Sequence, residues 1–215
     1  MKSMEAVIVR AFGGPDALNV ETFPPPNCGP DELLVRVHAA GVGPWDAWVR
    51  QGRSAVPQPL PLIPGSDISG VVEEVGAAVN GFEPGEAVYG ATNARFTNGY
   101  AQIAPCNADM MARKPESLSH IEAASVPVIA VTAWQMLFEH AELHEGQSVL
   151  IHGATGNVGR YAVQFAVAAG LRVESSPCRD HASWLAGLDV EQLPGLSPSG
   201  RRFDAAIDLV GGDTQ

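Results

Sequence analysis

With 215 residues, 46% of them hydrophobic and 17% charged, the chain can bury a sizeable core as one large domain or two small ones. No apolar run approaches the roughly 20 residues of a membrane-spanning helix, which argues against a membrane protein. A formal charge of −11, with only 13 scattered Lys and Arg, excludes nucleic acid as a partner and requires any anionic ligand to be held locally.

The N-terminus places Glu5 and Arg10 around a short Ala-Val-Ile-Val run, too brief and too charged for a secretory signal, and predicts a first strand over 6–9. Further short strands are expected over 32–39, 69–75, 87–89 and 100–104. Between them lie Pro24-Pro25-Pro26, Gly29-Pro30, the prolines from Pro57 to Pro64, and Glu83-Pro84-Gly85. This alternation of strands and breakers predicts a compact, mostly antiparallel β domain over 1–118 and excludes a helical bundle. Cys28, Cys106 and Cys178 stand apart with no Cys-x-x-Cys pair, which favours neither a disulfide framework nor a thiolate zinc site and fits a reducing cytoplasm.

From His120 the pattern changes: Ile121, Ala124, Val128, Val131, Trp134 and Leu137 recur at helical spacing, and Ser119 can cap that helix. A buried strand over 148–152 leads into a Gly-rich turn, a helix over 158–169 with Gly170 as its stop, and a second strand over 171–173. A helix over 180–186 and a strand over 203–210 follow. The fold class is therefore α/β: a β-rich N-terminal domain, then the start of a Rossmann-type doubly wound parallel sheet over 119–215.

Gly153, Ala154, Thr155, Gly156, Asn157, Val158 and Gly159 form the turn between that buried strand and the amphipathic helix, the context a dinucleotide site requires. Its glycines permit a tight turn and close backbone approach, and the helix N-terminus offers N–H groups to a pyrophosphate. A turn selected only for helix–strand packing is the plainer alternative. NAD recognition calls for an acidic residue at the end of the second strand. Glu174 lies 21 residues after Gly153, but counted from Gly159 it falls inside the strand. The strand end then belongs to Ser175, Ser176 and Pro177, with Arg179 close behind; hydroxyls and a guanidinium suit a 2′-phosphate and favour NADP. Read without that role, Arg179 is a solvated residue at a helix start.

The motifs run in a recognisable order. Phe12-Gly13-Gly14-Pro15, Pro30 to Val37, Gly41-Val42 with Asp46 and Arg50, Pro64-Gly65-Ser66-Asp67, Gly70-Val71-Val72 and Val75-Gly76 come first. Gly81-Phe82, Pro84 to Val88, Thr132-Ala133-Trp134, the Gly153 turn and Asp208-Leu209-Val210-Gly211-Gly212 continue it. Together they resemble the zinc-independent, zeta-crystallin-like quinone oxidoreductases of the medium-chain dehydrogenase/reductase superfamily. The resemblance implies a GroES-like N-terminal domain, a Rossmann domain and a cleft between them. It also implies hydride transfer from NADPH to a quinone, an enone or another conjugated carbonyl acceptor.

In zinc-dependent relatives a Cys follows the first Gly-Val motif and Gly-His-Glu replaces Gly65-Ser66-Asp67; here Gly43-Pro44 and Ser66 stand in those places, so no zinc is expected. Family members often present polar groups from a Gly-Val-Asn-Pro segment and from a Tyr after the next Arg-x-Gly, whereas this chain has Gly43 and, near the Tyr position, Ser54. The catalytic residues accordingly stay unassigned. Thr132 matches a family position near the nicotinamide, or else back-bonds its own helical turn, and Val210 completes the cofactor-binding set. Asp46 and Arg50 are expected to pair across a helix turn, and Trp45 and Trp48 to be local core. His38, His140, His144 and His152 lack metal-ligand spacing, with His152 read as a packed or backbone-bonded strand end. A Tyr that the family places after Gly-Ala-Asp has no counterpart, since Gly187-Leu188-Asp189 is followed by Val190.

Members of the family run roughly a third longer and complete the sheet with two more strands. The resemblance thus implies an incomplete Rossmann domain, with the apolar 205–210 segment at an exposed edge. It admits a homodimer. Two other readings fit the same motifs: an enoyl or alkenal reductase, and a nucleotide-binding protein without turnover.

Overall fold

A computed structural model describes residues 3–176, 182–188, 190–193 and 202–211. The chain divides into two compact units, Met1–Val128 and Ile129–Gln215.

In the first unit, β1 (Met4–Val9) pairs antiparallel with β2 (Leu18–Phe23) from Met4↔Phe23 to Val9↔Leu18. β3 (Glu32–Ala40), β4 (Asp67–Val75), β5 (Ala87–Ala91), β6 (Ile103–Asn107) and β7 (Met111–Arg113) form a five-stranded antiparallel sheet in the order β6-β3-β4-β5-β7. Its core contains Leu33, Val35, Ile68, Val72, Val88, Ala104, Cys106 and Met111, so the β-branched and aliphatic residues that favour extended backbone also supply the apolar face. A smaller cluster joins Val9, Val49 and Leu62. The expected 100–104 strand is displaced: the ladder runs over Ile103–Asn107, while Ala101 meets Ala6 in an isolated bridge.

Between β3 and β4, α1 (Pro44–Arg50) starts at Gly43, with Pro44 in the first turn, where its missing N–H is no loss. The single helix expected from His120 is broken. α2 (His120–Ala124) begins on a Ser119–Glu122 capping box and ends at Ser125; α3 (Pro127–Trp134) restarts two residues later. Proline lacks the N–H that an uninterrupted helix would need there, so it opens a new helix instead. A π-helical segment, Gln135–His140, continues from Trp134.

The second unit is built on a parallel sheet of β8 (Ser148–His152), β9 (Arg172–Ser175), β10 (Glu191–Gln192) and β11 (Ala205–Asp208), in the order β10-β9-β8-β11. α4 (Asn157–Ala168) connects β8 to β9, and α5 (Ala182–Ala186) precedes β10. α4 buries Gly159, Ala162, Val163 and Ala166, the i, i+3, i+4, i+7 stripe of an amphipathic helix, in a core that includes Val149, Ile151, Leu137, Val173 and Leu185. The second strand is shifted from 171–173 to Arg172–Ser175 and is one residue longer, the last is shortened from 203–210 to Ala205–Asp208, and the two-residue β10 is not expected from the sequence. Of the 180–186 helix the structure describes Ala182–Ala186; positions 180 and 181 lie outside the described residues. The strand order reverses between β8 and β11, and a ligand crevice in such sheets forms at the carboxyl ends of the strands flanking that switch. Among the described residues no helix is long and apolar enough to cross a membrane.

Candidate functional site

The carboxyl end of β8 delivers the chain into the turn from Gly153 to Gly159. Gly153 adopts φ +84°, a left-handed conformation that glycine enters without strain, and its carbonyl accepts from Gly156 N–H at 3.0 Å. Gly159, in the first turn of α4, passes so close to the turn that a Cβ there would overlap the Gly153 carbonyl oxygen and the Ala154 backbone. The helix cap is Gly156, which has no side chain to accept from the first-turn amides. Those N–H groups and the positive end of a 12-residue helix are what an anion such as a pyrophosphate requires. Arg160 braces the turn by donating from Nε to Thr155 O at 3.1 Å, with its guanidinium 5.3 Å from the Trp184 ring.

At the neighbouring switch-point strand, Asp208 Oδ1 accepts from Val210 N–H and Gly211 N–H, both at 2.9 Å. This holds Val210 against the turn: a Cβ on Gly153 would lie 3.0 Å from Val210 Cγ2. The structure thus brings Gly153, Ala154, Thr155, Gly156, Asn157, Val158, Gly159 and Val210 together. Thr132 lies on α3, half-buried. Ser176, the first residue past β9, is only 4% exposed, and its Oγ lies 2.8 Å from His152 Nδ1. Arg179 lies outside the described residues. The His152 ring is thus not held by a backbone bond: its Nδ1 bonds the Ser176 hydroxyl at the end of the neighbouring strand.

The first unit carries a polar cluster of its own. Asp46 does not pair with Arg50, whose Nε donates to Gly13 O at 3.2 Å. Helix α1 turns the Asp46 carboxyl inward, where Oδ2 accepts from Gly43 N–H at 2.7 Å and from the Tyr100 hydroxyl at 2.8 Å. Oδ1 is sealed from solvent, without a hydrogen-bond partner among the described residues. Trp45 is half-buried and donates from Nε1 to Ser66 Oγ at 3.1 Å; Ser66 in turn donates to Asp67 Oδ1 at 3.2 Å. The second carboxyl oxygen of Asp67 accepts from Val128 N–H at 3.4 Å. Trp48, expected in the core, is 54% exposed. Ser54 Oγ accepts from Val56 N–H at 3.2 Å.

Burial sets the electrostatics of this cluster. Desolvation pushes Asp67 up to about 6, with the nearby Asp46 charge adding to it. Desolvation also raises Asp46 above the usual carboxylate range, against the hydrogen bonds from Gly43, Tyr100 and Gly65. Tyr100 is raised well beyond an ordinary phenol, by burial first and by Asp46 second. Tyr100→Phe deletes the hydroxyl that satisfies a buried carboxylate oxygen and is expected to destabilise the first unit by about 2 kcal/mol. Urea unfolding checks this, and an unchanged midpoint would contradict it. Nothing local in the sequence linked Asp46 to Tyr100, which lies 54 residues away.

Elsewhere His38 and His120 stack with ring centroids 4.5 Å apart, and His120 Nδ1 lies 2.7 Å from Ser69 Oγ. Among the described residues no group of three or more His, Cys, Asp or Glu is placed to hold a metal ion.

Comparison with known proteins places these features in a family context. Residues 29–116 match the alcohol dehydrogenase GroES-like domain. Quinone oxidoreductase from Pongo abelii is 37% identical over 173 residues, 80% of this chain and 52% of that protein. The chloroplastic quinone-oxidoreductase homolog of Spinacia oleracea is 30% identical over 228 residues, covering 98% of this chain and 69% of that one. Among solved structures, the quinone oxidoreductase from Coxiella burnetii superposes with a TM-score of 0.85 at 33% identity, over 99% of this chain and 70% of that one. A mycobacterial protein solved in complex with NADPH gives a TM-score of 0.75 at 30% identity, over 88% and 58%. The chain spans about half the length of the first curated relatives it matches.

Proposed function

Because the chain belongs to the quinone oxidoreductase family of the medium-chain dehydrogenase/reductase superfamily, we propose that its second unit binds NADPH and that the whole protein reduces a quinone or related conjugated carbonyl without zinc. The observation that carries this reading is the turn between β8 and α4 at the switch point, closed by Gly153 and Gly159 and free of a side-chain cap. The first-turn amides of α4 hold the pyrophosphate locally, which a chain of charge −11 needs. Val210 borders the turn, Ser176 and Arg179 serve the adenosine 2′-phosphate, and Thr132 serves the nicotinamide end. NADPH, when bound, supplies the hydride. Domains over 1–118 and 119–215 divide acceptor binding from cofactor binding.

Zinc independence is supported from the first unit. Gly43 and Ser66 stand where zinc-dependent relatives carry cysteine and histidine, and neither supplies a thiolate or imidazole ligand. Without a metal, the polar lining of the acceptor site must orient the carbonyl by hydrogen bonds as negative charge develops on its oxygen. The test is oxidation of NADPH by the purified protein with a quinone, an enoyl thioester or no acceptor. Quinone-dependent oxidation supports the proposal. Preference for the thioester favours an enoyl reductase, and binding of NADPH with no turnover of either acceptor contradicts the enzymatic reading for this chain.

A further inference from the structure

His152 ends β8 and Ser176 follows the end of β9, one step beyond the last paired residues, Ile151 and Ser175. Ser176 N–H donates to Ile151 O at 3.2 Å, which brings the two side chains face to face, with Nδ1 to Oγ at 2.8 Å. The other imidazole nitrogen, Nε2, is sealed from solvent and has no partner among the described residues.

That orphan decides the direction of the hydrogen bond. A neutral imidazole carries one N–H and one lone pair. If Ser176 donated to Nδ1, the proton would sit on Nε2 as a buried donor with no acceptor, the rarer and costlier defect. If Nδ1–H donates to Ser176, only a lone pair is left bare at Nε2. The second arrangement is favoured, so Ser176 Oγ accepts from His152 and keeps its own proton for another acceptor.

We infer that His152 is a specificity-determining positioning residue: by donating to Ser176 it makes that hydroxyl a hydrogen-bond donor, which the 2′-phosphate of NADPH requires and the ribose hydroxyl of NADH does not. A phosphate dianion only accepts and so needs a donor, whereas a ribose hydroxyl donates or accepts and is served by the serine in either orientation, so committing the Ser176 proton elsewhere costs NADPH more than NADH. This rests on the reading of the second unit as a dinucleotide site.

The experiment measures dissociation constants of NADPH and NADH by nicotinamide fluorescence for the wild-type chain, His152→Ala, His152→Asn, Ser176→Ala and the double alanine variant. Asparagine places an amide donor where Nδ1–H stands. The NADPH preference is expected to fall about tenfold in His152→Ala, as one charge-assisted bond implies. It should stay close to wild type in His152→Asn, fall equally in Ser176→Ala, and fall no further in the double variant. If His152→Ala does not fold, Ser176→Ala and His152→Asn carry the same expectations. A wild-type chain that prefers NADPH, with a preference unchanged in both alanine variants or with both dinucleotides weakened equally, overturns the inference alone. A wild-type chain that binds neither dinucleotide overturns the underlying site and the inference with it.

Discussion

Gly159→Val is expected to weaken NADPH binding by about 100-fold or more while Gly14→Ala leaves it unchanged. The reason is steric and has little room to relax. A Cβ at Gly159 meets the Gly153 carbonyl and the Ala154 Cα and carbonyl carbon, which are backbone atoms of the turn rather than the ends of flexible side chains. The valine must therefore open the turn or tilt α4, and either movement withdraws first-turn amides from the position they hold. Losing two hydrogen bonds to a phosphate would cost about 3 kcal/mol, which corresponds to that fold-change. Gly159 is also the first buried position on the face of α4 that packs against the sheet, so overpacking should destabilise the second unit by roughly 1–3 kcal/mol. Gly14 has open space around its would-be Cβ. Circular dichroism separates lost binding from lost structure, with Gly159→Ala as the milder variant. Wild-type affinity in a folded Gly159→Val protein would remove the turn from the cofactor site.

Asp67→Asn is expected to stabilise the first unit at pH 8 by about 3 kcal/mol and to leave it unchanged near pH 4. Burial raises the folded-state pKa of Asp67 from 3.8 to about 6, so the folded chain holds that proton more tightly than the unfolded one. The stability this contributes is fully present below the unfolded value and is lost as pH rises through about 6. Asp46 shifts in the same direction and reinforces the trend. Glu21, Glu86, Glu122 and Asp204 are lowered by their partners and act oppositely at acid pH, but they pair at the surface, where water screens the interaction. Comparing wild type with Asp67→Asn at each pH cancels them. The amide fits the site: its oxygen can accept from Val128 N–H while its nitrogen donates to Ser66 Oγ, which already accepts from Trp45. A stability difference between the two proteins that is the same at pH 4 and pH 8 would contradict this.

The parts of the molecule that sequence made legible are those encoded locally. Strand, glycine turn and helix from Ser148 to Ala168 follow from a short continuous apolar run, three spaced glycines and a period-3.6 stripe, all within a few residues of one another. The Ser119 cap is legible for the same reason, and the structure adds Glu122 as its reciprocal partner. What stayed hidden depends on partners far along the chain. β2 buries little, and it is a strand because β1 pairs with it over six residues. β10 has two residues and exists only beside β9. Asp46 and Arg50 have the spacing of a helix pair, yet the Tyr100 hydroxyl and the Gly43 amide satisfy the carboxylate while the Arg50 guanidinium bonds the Gly13 carbonyl instead. His152 and Ser176 likewise meet because parallel pairing of β8 and β9 aligns residues 24 apart. The 120–137 helix failed on a local signal that was available, since Pro127 cannot continue it.

The most direct test of the central claim is a titration of NADPH and NADH into the purified 215-residue chain, followed by nicotinamide fluorescence. Saturable NADPH binding, tighter than NADH by about tenfold or more as one phosphate contact requires, is the predicted result. Binding of neither nucleotide would contradict the assignment of the Gly153 turn as a working dinucleotide site in this chain.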